Sequence, residues 1–191
     1  DHGVKVIDLA ADFRIKDIKE WEKWYGMPHE CPDIVENSIY GLPEVNRDQI
    51  KHAQLVANPG CYPTAIQLAL IPLLKDGLID PLSIIADAKS GISGAGKKTQ
   101  TDLLLSEASE NFKAYSLTGH RHQPEIEENL SQNSLIGKVR VLFVPHLLPM
   151  VRGIHATIYV NCIKDFDPSI IFNEFYDKEP FVDVMEANSC P

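Results

Sequence analysis

In LVANPGCYPTA, residues 55–65, a short apolar strand runs into a tight turn and then into a helix. The Asn-Pro-Gly turn ends the strand at Ala57, because proline and glycine interrupt regular structure. A helix is predicted over residues 63–74, since proline suits a first helical turn and four apolar side chains share one face. These side chains are Ile66, Leu70, Leu73 and Leu74.

Further strands and helices are predicted on both sides of this stretch. Residues 4–9 have the pattern of a buried strand, and residues 14–52 that of a short helix followed by irregular segments. Later strands are predicted over 82–88, 139–144, 154–160 and 181–185, and later helices over 101–112, 124–135 and 167–177. The predicted fold class is therefore α+β, with a mixed, largely antiparallel sheet and helices mainly on one face. We expect one domain over residues 1–191, in which residues 1–12 are a candidate for the end of a preceding domain.

Composition restricts the classes of function. The 191 residues carry 18 Lys and Arg against 27 Asp and Glu, a net charge of −9, which argues against binding to nucleic acid. No stretch approaches the roughly 20 apolar residues that span a bilayer, so no membrane partner is expected. Four widely spaced cysteines without a CxxC pair argue against a disulfide framework or a zinc ribbon. The expected location is the cytoplasm.

Cys61 is the first candidate for chemistry, because it lies where the turn meets the predicted helix. Backbone N–H groups and the dipole at a helix N-terminus favour an anion, and hence the thiolate. The same N–H groups would hold an oxyanion formed when the sulfur attacks a carbonyl group. A free cysteine is also commonly a small buried apolar residue, and position alone leaves both interpretations open. No such setting surrounds Cys31, Cys162 or Cys190, and Cys162 is expected in the core.

The segment GHRHQPE, residues 119–125, is the second candidate. Its imidazoles, His120 and His122, titrate near neutral pH and can move protons, while Arg121 between them can bind a carboxylate or phosphate. No cysteine or carboxylate completes a familiar ligand set here, so no metal site is predicted. A solvated polar entry to the following helix is the alternative interpretation.

A loop rich in glycine and serine, residues 90–96, is the third candidate, with Ser90, Gly91 and Gly94 as its main members. Together with Lys97 and Lys98 it nearly matches a phosphate-binding loop, but Lys98 stands where a hydroxyl residue is required. The chain also contains no G-x-G-x-x-G dinucleotide motif. We interpret the loop as backbone that closely approaches a small ligand, with a flexible connector as the alternative.

Two isolated arginines, Arg14 in DFR (12–14) and Arg152 in PMVRG (149–153), are individually unremarkable surface charges. With Arg121, Lys97 and Lys98 they would supply the local positive charge that an anionic substrate needs in an acidic protein.

These motifs together resemble a known family. DFR (12–14), YGLPE (40–44), NPGCYPTA (58–65), SG (90–91), GAG (94–96), HRHQPEI (120–126) and PMVRG (149–153) occur in order along nearly the whole chain. They resemble the N-acetyl-γ-glutamyl-phosphate reductases. The cysteine and histidine blocks are much more specific together than either is alone.

The resemblance implies an NADPH-dependent, homo-oligomeric reductase of arginine biosynthesis whose small-molecule substrate is an N-acyl-γ-glutamyl phosphate. It implies Cys61 as a nucleophile that forms a thioester, and His122 and His120 as residues that share acid–base and orienting roles. Arg14 would bind the substrate carboxylate and Arg152 or Arg121 another anionic group. Ser90, Gly91 and Gly94 would line the nicotinamide region.

The resemblance also implies that this chain corresponds to the catalytic domain, which resembles the C-terminal domain of glyceraldehyde-3-phosphate dehydrogenase. By itself the chain is therefore expected to keep the substrate site, to bind NADPH poorly and to be inactive. Two alternatives stay open: a sister reductase acting on aspartyl phosphate or a longer amino-acid acyl phosphate, and a non-catalytic assembly module.

Overall fold

The computed structural model describes residues 3–96, 101 and 104–189. Lys97 and Lys98, which were predicted to add positive charge beside the glycine-rich loop, lie outside these residues, as does Cys190.

A small parallel sheet forms the N-terminal part of the described chain. Its strands are β1 (Val6–Asp8), β2 (Ile39–Tyr40) and β3 (Leu55–Ala57), in the order β1-β3-β2. Ala57 of the central strand pairs with Asp8 on one side and Tyr40 on the other. The expectation of a buried strand at residues 4–9 is wrong: β1 is an edge strand, and Ile7 and Leu9 expose 67% and 73% of their surface.

Three helices connect these strands, where one helix and irregular segments were predicted. They are α1 (Ile18–Tyr25), α2 (Pro32–Val35) and α3 (Pro43–His52). The Asp17 carboxylate caps α1 by accepting a hydrogen bond from the Glu20 N–H, and Gly26 ends the helix with a positive φ. Proline stands in the first turn of both α2 and α3, where its missing N–H costs nothing. Pro32 and Pro43 therefore begin helices where irregular segments were predicted.

A mixed four-stranded sheet forms the rest of the domain and confirms the predicted fold class. Its strands are β4 (Ile84–Ser90), β5 (Lys113–Ala114), β6 (Val141–Leu147) and β7 (Ile154–Tyr159), in the order β5-β6-β4-β7. The central pair β4–β6 is parallel, whereas β7 and β5 pair antiparallel at the two edges. Two of the three pairings are thus antiparallel.

The core lies between one face of this sheet and the helices α4 (Cys61–Lys75) and α6 (His122–Gln132), which pack against each other. Along β4 the residues Ile84, Ala86, Ala88 and Ser90 are buried, in the alternation expected of a sheet covered on one face. Full burial of one isoleucine or leucine side chain stabilises the fold by about 1.5–3 kcal/mol. The helix contributions to the core come from Ile66, Leu70, Ile71, Leu74, Ile126 and Leu130.

The remaining elements correct several sequence expectations. The helix predicted over residues 101–112 is reduced, in the described part, to α5 (Leu105–Ala108), and β5 follows it. The last helix, α7 (Pro168–Tyr176), begins at the predicted Asp167 cap, but residues 181–185 form no strand. Cys162, expected in the core, is exposed because it follows β7 in an isolated bridge with Ile79. None of the described helices is both long and apolar enough to cross a membrane.

Candidate active site

Cys61 is the first residue of α4, two positions earlier than the predicted helix start. Its thiol is free and exposed, so the alternative of a small buried apolar residue is wrong. The residue lines a cleft of about 350 Å³ together with residues of the glycine-rich loop and the start of β7. These neighbours are Ser90, Ser93, Gly94, Gly153 and Ile154.

The first turn of α4 presents backbone donors beside the sulfur. The first N–H groups of a helix have no partner within the helix, and Pro63 has none to offer. The N–H of Thr64 donates to the Gly60 carbonyl at 3.0 Å, which closes the turn. The N–H groups of Cys61 and Tyr62 are therefore the donors that this turn can direct at an anion.

Gly60, directly before the cysteine, brings two predicted site residues to it. A Cβ atom at this position would lie 2.8 Å from His122 Nε2 and 3.1 Å from Arg14 Nη1. Real Cβ atoms essentially never approach another atom as closely as 2.8 Å, so the His122 ring occupies space that a side chain at position 60 would need, and the Arg14 guanidinium would be in tight contact with it. The structure thus brings Arg14, Cys61 and His122 together from three separate segments of the chain.

Glu125 connects Gly60 and Arg14. The sequence did not predict this role, because Glu125 was interpreted only as an acidic residue in the first turn of a helix. Its Oε1 accepts hydrogen bonds from the Gly60 N–H and the Tyr40 hydroxyl, both at 2.8 Å. Its Oε2 lies 3.7 Å from Arg14 Nη1. The carboxyl group is only 1% exposed, and this burial raises its pKa. Glu125 follows His122 by three residues, which places both on one face of a helix. This spacing was the feature of the sequence that could have indicated a shared role.

The two imidazoles make an edge-to-face contact, and a backbone hydrogen bond sets the tautomer of one of them. Their ring centroids are 4.7 Å apart, and His120 Nδ1 accepts a hydrogen bond from the His122 backbone N–H at 3.0 Å. In neutral His120 the proton therefore resides on Nε2. Burial lowers the pKa of His120 to about 4 and the pKa of His122 to about 3, with nearby positive charge and the other ring as smaller causes. Both rings are neutral at pH 7.

Tyr62 packs beneath this pair and was not identified from the sequence. Its ring makes edge contacts with His120 and His122, at centroid distances of 5.8 and 6.0 Å. The Tyr115 hydroxyl donates to the Tyr62 hydroxyl at 2.9 Å, and Tyr62 in turn donates to the His146 carbonyl at 3.2 Å. Burial raises the pKa of Tyr62, so this chain of hydroxyls remains un-ionised and holds both histidine rings in place.

A second, larger cleft of about 530 Å³ adjoins the first, because Ser90 and Gly94 line both. His120 and Arg121 line this larger cleft, whereas His122 does not. Its volume is within the range of small-molecule sites. Among the described residues, no three acidic, histidine or cysteine side chains are grouped as metal ligands.

The predicted cofactor residues form a tightly built loop at the border of the two clefts. The Ser90 side chain is buried, and a Cβ at Gly94 would lie 2.6 Å from its Oγ. At Gly91 a Cβ would lie 2.8 Å from the backbone nitrogen of Arg152. Gly94 is exposed and lines the cleft of Cys61, where its backbone can approach a ligand closely, and this fits the reactive end of a nicotinamide cofactor.

The three arginines do not form one cluster. Arg14 is nearly buried between Glu125 and the Leu9 carbonyl, to which its Nη2 donates at 2.9 Å. Arg121 is exposed on the larger cleft, with its guanidinium carbon 5.9 Å from the centre of the Tyr25 ring. Arg152 is exposed in the loop after β6 and lines neither cleft.

The exposed cysteine at the N-terminus of α4, the histidines near it and the mixed sheet together indicate the class of protein to which the chain belongs. The chain belongs to the semialdehyde dehydrogenase family: the model of the semialdehyde dehydrogenase dimerisation domain matches residues 61–191. The model of the NAD binding domain of semialdehyde dehydrogenases matches residues 1–53.

Curated relatives make the placement more specific and confirm the resemblance found in the motifs. N-acetyl-gamma-glutamyl-phosphate reductases from Nitrosospira multiformis and Thiobacillus denitrificans are each 58% identical to this chain over 191 residues. The match covers 100% of this chain and 56% of each relative, so the chain spans little more than half of their length.

Solved structures share the fold at low sequence identity. Aspartate semialdehyde dehydrogenase II from Vibrio cholerae aligns with a TM-score of 0.59 and 15% identity, over 82% of this chain and 53% of that one. A probable aspartate-semialdehyde dehydrogenase from Pseudomonas aeruginosa aligns with a TM-score of 0.53 and 16% identity, over 81% and 52%. These likenesses support the α+β fold class.

Proposed function

We propose that this chain supplies the catalytic domain of an NADPH-dependent reductase that converts an N-acyl-γ-glutamyl phosphate to the semialdehyde and phosphate, in arginine biosynthesis. The names of the relatives support the reaction. The observation that carries it is the exposed Cys61 thiol on the first residue of α4, with His122 and Arg14 against the preceding Gly60. A location in the cytoplasm suits this biosynthetic role.

The first half of the reaction uses the chain's own residues. The Cys61 sulfur forms a bond to the γ-carbonyl carbon, the bond from that carbon to the phosphate oxygen breaks, and phosphate leaves with its electron pair. The N–H groups of Cys61 and Tyr62 are the donors at hand for the oxyanion of the tetrahedral intermediate. Phosphate is a good leaving group, so this step needs little help from an acid.

The second half needs a reductant, and NADPH supplies a hydride to the thioester carbon when bound. Gly94 and Ser90 would hold its reactive end beside Cys61, since they line the same cleft, with Gly91 shaping the loop against the backbone of Arg152. The oxyanion that results then expels the sulfur as thiolate and releases the semialdehyde. The chain's own task at this stage is to stabilise that oxyanion until the C–S bond breaks.

The histidines would act as neutral donors and not as imidazolium acids, because burial keeps both uncharged at pH 7. His120 would donate its Nε2–H within the larger cleft that it lines, and His122, against Gly60, would orient the cysteine turn. Neutral imidazole is a known electrophilic group in enzyme sites.

The anionic end of the substrate would bind in the larger cleft. Arg121 is the arginine that lines this cleft, so it is the first choice for the substrate carboxylate. Arg14 would act mainly by keeping Glu125 and Gly60 in position and by adding positive potential near Cys61. Arg152, exposed beside Gly91, would meet the leaving phosphate or a carboxylate only at the edge of the site.

We propose that the chain supplies the catalytic and oligomer-forming domain, and that the end of the preceding dinucleotide-binding domain, predicted at residues 1–12, extends further, since the model of the NAD binding domain matches residues 1–53. The outer face of the four-stranded sheet supports oligomer formation. Leu142, Ile85 and Tyr159 are direct neighbours across β6, β4 and β7, and they expose 61%, 39% and 57% of their surface. An apolar row of this kind on a regular sheet is suited to a second copy.

Replacement of the nucleophile tests the proposal. In the full-length protein, Cys61→Ser should reduce kcat by at least about a thousandfold, because an alcohol at this site is not ionised. Cys31→Ser, which alters another exposed free thiol, is the matched control and should keep its activity. Unchanged turnover of Cys61→Ser would instead support the assembly module. A higher kcat/KM for aspartyl phosphate than for N-acetyl-γ-glutamyl phosphate would identify the sister reductase.

A further inference from the structure

Trp24, in the last turn of α1, has no part in the mechanism above, yet its indole lines the larger cleft with His120 and Arg121. The side chain is partly buried, so one surface faces the cleft and the other packs on the protein.

Two contacts hold the indole in place. Its Nε1–H donates to Glu20 Oε1 at 2.7 Å, and the same oxygen accepts from Lys23 Nζ at 2.9 Å. At the other edge, Gly119 approaches so closely that a Cβ there would lie 2.7 Å from Cη2 and 3.1 Å from Cζ3. Gly119 also has a φ of +140°, which L side chains rarely adopt. Trp24 therefore forms a wall of the larger cleft in a defined position, held by a hydrogen bond and by close packing on Gly119.

The two adjoining clefts extend from Cys61 to Trp24. Ser90 and Gly94 line both clefts, so an acyl group bound to the sulfur would have a path into the larger one. There the lining has two chemical characters. Arg121 and Ser116 offer donors for a carboxylate or an amide, whereas Trp24, Ala95 and Leu147 are apolar.

An N-acylated amino acid needs both kinds of surface, because its carboxylate is charged and the end of its acyl group is apolar. We propose that Trp24 is the specificity residue for the N-acyl group: its indole is the wall against which the terminal methyl of an acetyl group packs and which excludes longer chains. This inference rests on the proposed function and adds to it the choice of substrate.

The test compares two acyl phosphates in the full-length protein. Trp24→Ala and Trp24→Phe are assayed with N-acetyl- and N-butyryl-γ-glutamyl phosphate, and the ratio of their kcat/KM values is measured. The space left by the indole should lower the acetyl-to-butyryl ratio by about 10- to 200-fold in Trp24→Ala, the usual range for such pockets. Trp24→Phe should give an intermediate ratio. Met27→Ala, exposed just beyond α1 and outside the cleft, should keep the wild-type ratio.

The ratio separates this inference from the function on which it rests. An unchanged ratio in both Trp24 variants, or an equal loss for both substrates, would overturn the specificity role. If Trp24→Ala does not fold, the ratio for Trp24→Phe decides, since phenylalanine preserves most of the packing on Gly119. Absence of turnover by the wild-type protein with either substrate would refute the proposed function itself.

Discussion

At Gly60 a single missing methyl group determines the geometry of the site. A side chain at the residue before Cys61 would displace the His122 ring and crowd the Arg14 guanidinium. His120 and His122 are likewise defined by their surroundings, since burial makes both neutral and the bond to His120 Nδ1 selects its tautomer. The chemistry of each of these residues therefore depends on the space, burial and hydrogen bonds that its neighbours provide.

The lowered histidine pKa values predict a loss of stability in mild acid. Folded values of about 4 for His120 and about 3 for His122 lie below the ordinary 6.5, so the unfolded chain takes up protons first. The stability these neutral rings provide is complete above pH 6.5 and decreases as the pH falls towards 4. Urea unfolding of the full-length protein should therefore give a lower free energy of unfolding at pH 5 than at pH 7.

His120→Asn isolates one of these groups. Removing it should reduce the pH dependence near pH 5 by up to about 1.4 kcal/mol per pH unit, the equivalent of one proton. Glu125 acts in the opposite sense, because its raised pKa favours protonation of the folded state, but it is present in both proteins. An identical slope in the variant would show that His120 is charged or exposed in the folded protein.

At the scale of elements, Glu125 attaches α6 to the turn before α4 and to β2. Its Oε1 receives the Gly60 N–H and the Tyr40 hydroxyl, and Gln67 of α4 donates to that same hydroxyl at 3.0 Å. Three elements distant in sequence thus meet at one buried carboxylate. The position of the Cys61 turn depends on this junction and not on α4 alone.

Glu125→Ala is expected to destabilise the full-length protein by about 2–5 kcal/mol, since two buried donors lose their acceptor. Glu125→Gln keeps an acceptor oxygen of the same shape and should cost less than half as much. Denaturant unfolding measures both, and the rate of Cys61 alkylation by iodoacetamide reports the turn. Alkylation at the wild-type rate in Glu125→Ala would contradict a positioning role.

At the scale of the whole molecule, the two faces of the four-stranded sheet differ. One is covered by α4 and α6, while the other carries the apolar row Leu142–Ile85–Tyr159 followed by polar rows that include Asp87 and His146. Asp87 Oδ1 and His146 Nδ1 lie 3.1 Å apart there. This outer face is the surface that the proposed oligomer would bury.

Leu142→Glu should weaken that oligomer, because a buried carboxylate without a partner opposes association. Sedimentation velocity of the full-length protein should show a shift to smaller species, with a Kd at least about tenfold higher. Leu135→Glu, which changes a leucine that is 70% exposed but not in the sheet, is the control. Equal sedimentation of Leu142→Glu and wild type would exclude this face as the interface.

Local patterns in the sequence were sufficient for much of the fold. The strand at 55–57, the helices that became α4, α6 and α7, and the strands β6 and β7 were predicted, because periodicity and capping are local properties. The separate parallel sheet, the exposure of β1 and the shortness of α5 were not predicted. These features depend on which surfaces the rest of the chain covers, and no local pattern encodes that.

The order of amino acids alone was enough to predict the family, the α+β class and the residues with suitable chemistry, namely Cys61, His120 and His122. Their spatial relations become visible in the folded chain: Glu125 holds the cysteine turn, Arg121 and not Arg152 lines the larger cleft, and Trp24 lines that cleft too. Residue types and their local spacing are written in the sequence, and they indicate which chemistry is available. Distance and burial arise from contacts between segments up to 132 residues apart, such as Arg47 and Glu179, and exist only once the chain is folded.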